Sequence, residues 1–379
     1  MMESALKPLK DARVGILSHQ ASVDARLRHI MSLLHARQVQ ITALFGPEHG
    51  LWGTAQDQIP VLADHDSVLN VPIYSLYGDH RAPSPENLAN IDVLVCDLQD
   101  VGSRYYTFVW TMALAMQMCA KLGKKFIVLD RPNPINGITL EGPVLDLNYA
   151  SFVGLYPTPV RHGLTLGEMA QWLNARFEIE VDLEVIRMKG WNRRMYFEET
   201  GLPWILPSPN MPTVDTAVVY PGGCLIEGTN LSEGRGTTRP FEMIGAPFIN
   251  PDQLAGLLNR DKLPGVGFRA SRFEPTFHKF QGQACGGVQI HVTDRGAFEP
   301  FLTTLALIQR TYDLYNPSFA WRPPPYEYEV EKLPFDILCG TDAIRKVIEN
   351  GIPVATLRKD WKADCALFAR ERKPFLLYN

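Results

Sequence analysis

The feature that most constrains this chain is the alternation, through its first half, of short β-branched runs with stretches of helical periodicity. Arg13 to Ser18 reads as a strand, after which Leu27, Ile30, Met31 and Leu34 fall at i, i+3, i+4 and i+7, one face of a helix that Ser22 or Asp24 is placed to cap. Further strands are expected over residues 40–45, 92–98, 125–130 and 183–188. Between them lie an apolar helix from Phe108 closed by Gly123 and a helix opened by the capping box Thr165-x-x-Glu168. Mostly apolar strands separated by helices must pair in parallel through crossovers and be covered on both faces. The fold class expected is therefore α/β, a doubly wound parallel sheet.

From Pro203 to Pro221 five prolines interrupt any regular pattern, as a crossing between domains would. We place a boundary near Pro221, giving a catalytic α/β domain over residues 1–220 and a smaller α+β domain over residues 221–379. In the second part a helix is expected after Asn250-Pro251, strands over residues 267–273 and 288–292, and a helix over residues 299–312. Pro323-Pro324-Pro325 reads as a stiff loop, and Thr341 as the cap of one more helix.

At 379 residues, 46% hydrophobic and 21% charged, the chain has ample material for a core and no disorder signature. Its net charge of −4, without a basic run, argues against a nucleic-acid partner. Residues 108–122 are too short and too polar for a membrane span, and the N-terminus lacks the apolar core of an export signal, so a cytoplasmic location is expected. The 6 cysteines form no C-x-x-C pair, which offers neither a zinc ribbon nor a dithiol redox motif.

Open α/β sheets bind ligands beyond the carboxyl ends of their strands. There the sequence places Glu48 and His49 after the second strand, and Asp97, Asp100, Arg104 and Tyr105 after the third. Asp130, Arg131 and Asn133 follow the fourth, with Glu141 close behind, while the inter-domain region adds Asn210, Glu227, Asn230, Glu233 and Arg235. A cleft between the domains is expected. Taken alone, Asp97 and Asp130 are ordinary helix caps, Glu48 a turn residue, and Arg235 a partner for Glu233. The glycines beside Arg235 would equally let a polar ligand approach the backbone.

No Gly-x-Gly-x-x-Gly follows the first strand, and neither a P-loop nor a Gly-x-Ser-x-Gly elbow occurs. Metal-assisted hydrolysis through His49, Asp97 and Asp130 remains a reading, though without helical metal-site spacing; a sugar-binding protein without turnover is another. Carboxylates, Asn, Arg and aromatics without an evident nucleophile suit glycoside hydrolysis, in which one carboxylic acid protonates the leaving oxygen and a second group acts across the sugar.

Five motifs in order resemble the exo-β-N-acetylmuramidases of the NamZ type: Gly46-Pro47-Glu48-His49-Gly50; residues 97–106, Asp-Leu-Gln-Asp-Val-Gly-Ser-Arg-Tyr-Tyr; residues 129–134 with Glu141-Gly142-Pro143; Pro207-Ser208-Pro209-Asn210-Met211-Pro212; and residues 227–238. The resemblance spans nearly the whole chain. It implies a Rossmann-like first domain, a smaller second domain, a site at their interface, and release of N-acetylmuramic acid from non-reducing ends of peptidoglycan fragments. The substrate expected is then a small carbohydrate, a muropeptide or disaccharide; no cofactor is expected, and no metal, because the mouth lacks a recognisable ligand set. Onto matching positions the resemblance carries Glu48 as the catalytic acid, with Glu141, Glu227 and Glu233 competing for the second role. His49, Asp100, Arg104, Tyr105, Arg131, Asn133, Asn210, Asn230 and Arg235 are then substrate-binding candidates, Arg235 foremost for a lactyl carboxylate.

Overall fold

Strand β1 (Arg13–Ser18) lies at the centre of a seven-stranded sheet that also contains β2 (Gln40–Gly46), β3 (Asp64–Asp66), β4 (Val71–Ser75), β5 (Val93–Asp97), β6 (Lys125–Leu129) and, after a separate hairpin, β9 (Leu183–Ile186). The computed structural model describes residues 6–56, 59 and 64–379, so the opening residues read above for an export signal fall partly outside it. The strand order is β3-β4-β2-β1-β5-β6-β9, all pairings parallel except β3 with β4. The chain winds outward from β1 through β2 to β4, returns beside β1 with β5, and winds out the other way. That reversal between β1 and β5 is the switch point at which doubly wound sheets open a crevice, so the expected fold class is the observed one.

Alternation along the strands divides the core. Val14 and Ile16 of β1 point to one face, with Ile30, Met31, Leu34, Leu44, Val95 and Ile127, while Leu17 joins the larger cluster on the other face. The Phe108–Lys121 helix, apolar almost all round, packs into that larger cluster along most of its length and leaves Lys121 exposed at its end. The cluster does not stop at the end of the sheet domain. It continues through Tyr220, Phe241, Ile244, Leu305 and Phe335, so one core underlies both halves.

The second half holds a three-stranded antiparallel sheet, β10 (Met243–Ala246), β12 (Cys285–Val292) and β11 (Val266–Phe273) in that order, with helix Pro251–Arg260 against it and helix Pro300–Tyr315 packed on that helix. A hairpin of β7 (Glu141–Val144) and β8 (Pro159–Arg161) joins the halves. Buried Arg104 fastens it: Nη1 donates to the carbonyls of Pro143 and Thr158, and Nη2 to that of Leu338.

Some local expectations fail for identifiable reasons. The first helix spans only Ile30–His35 and is capped by His29. Asp24 instead closes a turn by accepting from the amides of Arg26 and Arg28, and Leu27 sits exposed at φ 61°. Pro221, expected in an irregular crossing, lies inside the Val214–Gly223 helix. No helix among the described residues is long and apolar enough to cross a membrane.

Candidate active site

Glu48 is presented by a turn whose geometry its neighbours dictate. A Cβ at Gly46 would lie 2.5 Å from the Leu51 amide nitrogen, so only glycine lets the chain fold back there. The Gly50 amide donates to the Pro47 carbonyl, and His49 takes a left-handed φ of 70°. His49 Nδ1 is 2.9 Å from the Ala55 carbonyl, which anchors the loop. The Glu48 carboxylate, 7% exposed, accepts a 2.7 Å hydrogen bond from Thr107 Oγ1 at the start of the Phe108 helix.

Glu48 and His49 line a cleft of about 500 Å³ of empty space, counting the part open to solvent, a size suited to a small ligand. Tyr105, Tyr106, Thr107 and Phe108 contribute from the segment after β5, Ser208, Asn210 and Met211 from the proline-rich segment, and Tyr220, Glu227, Arg235, Tyr326 and Glu327 from the second half. Among the candidates, Glu48, His49, Tyr105, Asn210, Glu227 and Arg235 are thus brought together. Asn210 is fixed by donating to Gln56 Oε1 at 2.8 Å.

The second-half carboxylates are engaged to different degrees. Glu227 Oε1 accepts from Arg235 Nη2 at 2.7 Å and its Oε2 from the Tyr326 hydroxyl at 2.8 Å. Glu233 sits behind Arg235 with its Oε1 3.2 Å from the guanidinium Nε and 3.0 Å from His278 Nδ1, and its Oε2 3.1 Å from Lys279 Nζ. Burial works to raise its pKa, but Lys279, His278 and Arg235 together overcome this and hold the carboxyl well below its ordinary value. A group so held stays ionised and has no proton to give. The glycines beside Arg235 answer to packing and not to a ligand: a Cβ on Gly234 would lie 2.5 Å from the Met243 carbonyl oxygen, and one on Gly236 2.7 Å from the Phe277 backbone.

The remaining candidates lie elsewhere. Glu141 accepts from the Leu302 amide at the start of the Pro300–Tyr315 helix and is pushed up to about 7 by burial, away from the cleft lining. Asp100 accepts from the Gly102 amide and is likewise raised to about 7 by burial. Arg104 serves the hairpin, Asn133 bonds the Leu164 carbonyl and Ile135 amide, and Asn230 bridges Ser318 and Ala320. Arg131 forks onto Asp97, Nε to Oδ1 at 2.5 Å and Nη2 to Oδ2 at 2.9 Å, on the far side of the switch point.

Two contributors escaped the sequence reading. Glu327 lies in the loop after the three prolines, in a left-handed conformation (φ 45°) shared by Tyr328 (φ 69°). Two consecutive non-glycine residues so held need outside support. It comes from the first half: the Tyr77 hydroxyl donates to both Glu327 oxygens at 3.2 and 3.3 Å, and the Gly78 amide to the Tyr328 hydroxyl at 2.9 Å. His19, directly after β1, is buried and depressed to about 3, chiefly by burial. Its Nε2 accepts from the Gln99 amide, which leaves Nδ1–H to donate to the Pro207 carbonyl at 3.2 Å. A neutral histidine at the switch point thereby pins the proline-rich wall of the cleft. Among the described residues no cluster of three or more His, Cys, Asp or Glu side chains is arranged to hold a metal ion.

Family models for the exo-β-N-acetylmuramidase NamZ match this chain over residues 14–215, as the N-terminal domain, and 218–378, as the C-terminal domain. The chain belongs to the NamZ family. It is 48% identical over 373 residues to the peptidoglycan β-N-acetylmuramidase NamZ of Bacillus subtilis (strain 168), covering 98% of this chain and 88% of that one. Two crystal structures of DUF1343 family proteins from Bacteroides fragilis NCTC 9343 share the NamZ-family fold, each covering 100% of this chain and 97% of its own. One superposes with TM-score 0.90 at 36% identity, the other with 0.79 at 30%.

Proposed function

We propose that this chain is a glycoside hydrolase that releases N-acetylmuramic acid from the non-reducing end of peptidoglycan fragments during their recycling. Glu48 is the proton donor and Glu327 the second carboxylate. The observation that carries this reading is the cleft itself: Glu48, fixed by Thr107, shares it with Glu327, which a strained loop brings in from the other half of the chain. The alternatives within the cleft are weaker. Glu227 is committed to an ion pair with buried Arg235 and to the Tyr326 hydroxyl, and Glu233 is held ionised behind the wall by Lys279, His278 and Arg235. Glu48 would protonate the glycosidic oxygen as the bond to the anomeric carbon breaks, and Glu327 would supply negative charge to the oxocarbenium-like centre.

A chromogenic N-acetylmuramide tests it. Glu48→Gln keeps size and the Thr107 contact but has no proton to transfer, so kcat should fall by ~10² or more with the melting temperature nearly unchanged. Wild-type rates in that variant would end the assignment. Turnover that disappears on chelation and returns with a divalent ion would favour the metal-dependent alternative.

A further inference from the structure

A second cavity opens at the carboxyl ends of β5, β6 and β9, across the switch point from the cleft. It encloses about 1160 Å³ of empty space against about 500 Å³ for the cleft. Ile30, Leu33, Ile186, Trp191 and Leu202 give it apolar walls. Its charges are unevenly spent. Asp24 is held by Arg28, Asp97 by Arg131, and Asp130 by the amides of Arg131 and Gly167 and the hydroxyls of Thr165 and Tyr378, while Glu199 accepts from the Tyr196 amide. Arg187 and Lys189, both exposed and both lining the cavity, make no hydrogen bond or ion pair among the described residues. The cavity thus offers two unspent cations over an apolar wall, which suits a carboxylate on a partly apolar body.

The cavity and the cleft are separate, but one chain segment, residues 202–210, runs from the wall of the first to the wall of the second. A narrower pocket shares Val23, Asp24, Arg131 and Leu202 with the cavity and runs on to Pro203 and Ile205. The same segment then reaches Leu206, whose carbonyl Gln20 holds, and Ser208 and Asn210 of the cleft wall. Glu48 follows β2, and β6 and β9 stand three and four strands away in the sheet order, roughly 14 to 19 Å at the usual strand spacing.

We infer that this cavity is a subsite for a carboxylate borne by the part of the substrate that departs, principally the lactyl carboxylate of the next muramyl residue, two sugars beyond the scissile bond. The inference rests on the glycosidase reading. A neutral glucosaminyl ring next to the cleft crosses the Leu202–Asn210 edge, and the anion beyond it meets Arg187 and Lys189. A carboxylate of a peptide stem offers the same chemistry, so the test separates the two sources.

The experiment compares kcat/KM for a peptide-free muramyl-glucosaminyl disaccharide, the corresponding peptide-free tetrasaccharide, and a tetrasaccharide with a stem on its second muramyl residue. The wild type should prefer the peptide-free tetrasaccharide over the disaccharide by ~10-fold, the scale of two partly exposed charged contacts. Arg187→Ala/Lys189→Ala should erase that preference and leave disaccharide turnover unchanged. A preference confined to the stem-bearing tetrasaccharide, and lost in the double variant, would support the subsite and assign its carboxylate to the peptide. Equal wild-type constants on all three substrates, or a preference that survives the double variant, would overturn the inference. A wild type that cleaves none of them, the disaccharide included, would instead mean that the glycosidase reading has failed.

Discussion

Arg235 joins Glu227 and Glu233 within a wall where all three are nearly inaccessible. Removing it leaves two buried carboxylates facing each other, so Arg235→Ala should cost about 3–5 kcal/mol in urea unfolding, whereas a residue that only read substrate would leave stability alone. Glu327→Gln is expected to behave in the opposite way, with ~10² lost from kcat and an unfolding midpoint within error of the wild type; a large shift of the midpoint would make Glu327 a structural residue. These two residues mark the limits of sequence reasoning at this scale. Glu48 was legible because a turn after a strand is a local fact that puts its side chain at a predictable mouth. Glu327 was not, because three prolines announce only stiffness, and its left-handed backbone exists by virtue of Tyr77 and Gly78, 250 positions away. Arg235 was legible as important, but whether glycines flank it for a ligand or for packing depends on Met243 and Phe277, which no spacing rule brings near.

The Thr165 hydroxyl accepts from the Glu168 amide and donates to Asp130 Oδ2 at 2.7 Å, while Glu168 Oε2 accepts from the Thr165 amide. Thr165→Ala removes the cap and one donor to a buried carboxylate, and should lower stability by ~1–3 kcal/mol while the KM for a chromogenic muramide stays unchanged. An equal loss of activity would tie this helix to the site. Elements like it were readable because their signals are local: a capping box, a 3.6 period, a run of β-branched residues. The central strands and the Phe108 helix follow from such signals. The edge strand β3, its neighbour β4 and the β7–β8 hairpin do not, since Asp64-His65-Asp66 is polar throughout and β4, β7 and β8 each carry a proline, which argues against a strand. The first helix was overextended because Leu27 fits the apolar period while Asp24 and Arg28 lock its backbone into a turn.

Several carboxyls are buried away from cations, and they contribute a distinct part of the pH response of the molecule. Burial raises Asp100 and Glu141 to about 7 and Asp130 to about 6, so in the native state they hold protons that an unfolded chain has released. Their stabilising share is complete below the unfolded carboxyl values near 4 and is lost as pH rises through 6 to 7, by ~1.4 kcal/mol per pH unit for each group titrating. The depressed carboxyls Asp24 and Asp92 act with the opposite sign, but only under more acidic conditions. His19 and His162, depressed to about 3 by burial, oppose these carboxyls up to the free imidazole value near 6.5. The test is therefore a difference between variants: unfolding free energy of Asp100→Asn should rise relative to the wild type between about pH 4 and 7, and a difference independent of pH would contradict the assignment. That the sheet is parallel and doubly wound was accessible from pattern alone, but its strand order and the one core running under both halves were not, because contacts such as Tyr105 with Tyr220 are long-range. The clamp of Tyr77 and Gly78 on residues 327 and 328 also bears on biosynthesis. A nascent chain halted before residue 326 already carries Glu48, Thr107 and every strand of both sheets, yet lacks half of its proposed chemistry. Hydrolytic competence would be among the last things translation delivers, and products truncated before this loop would be inert.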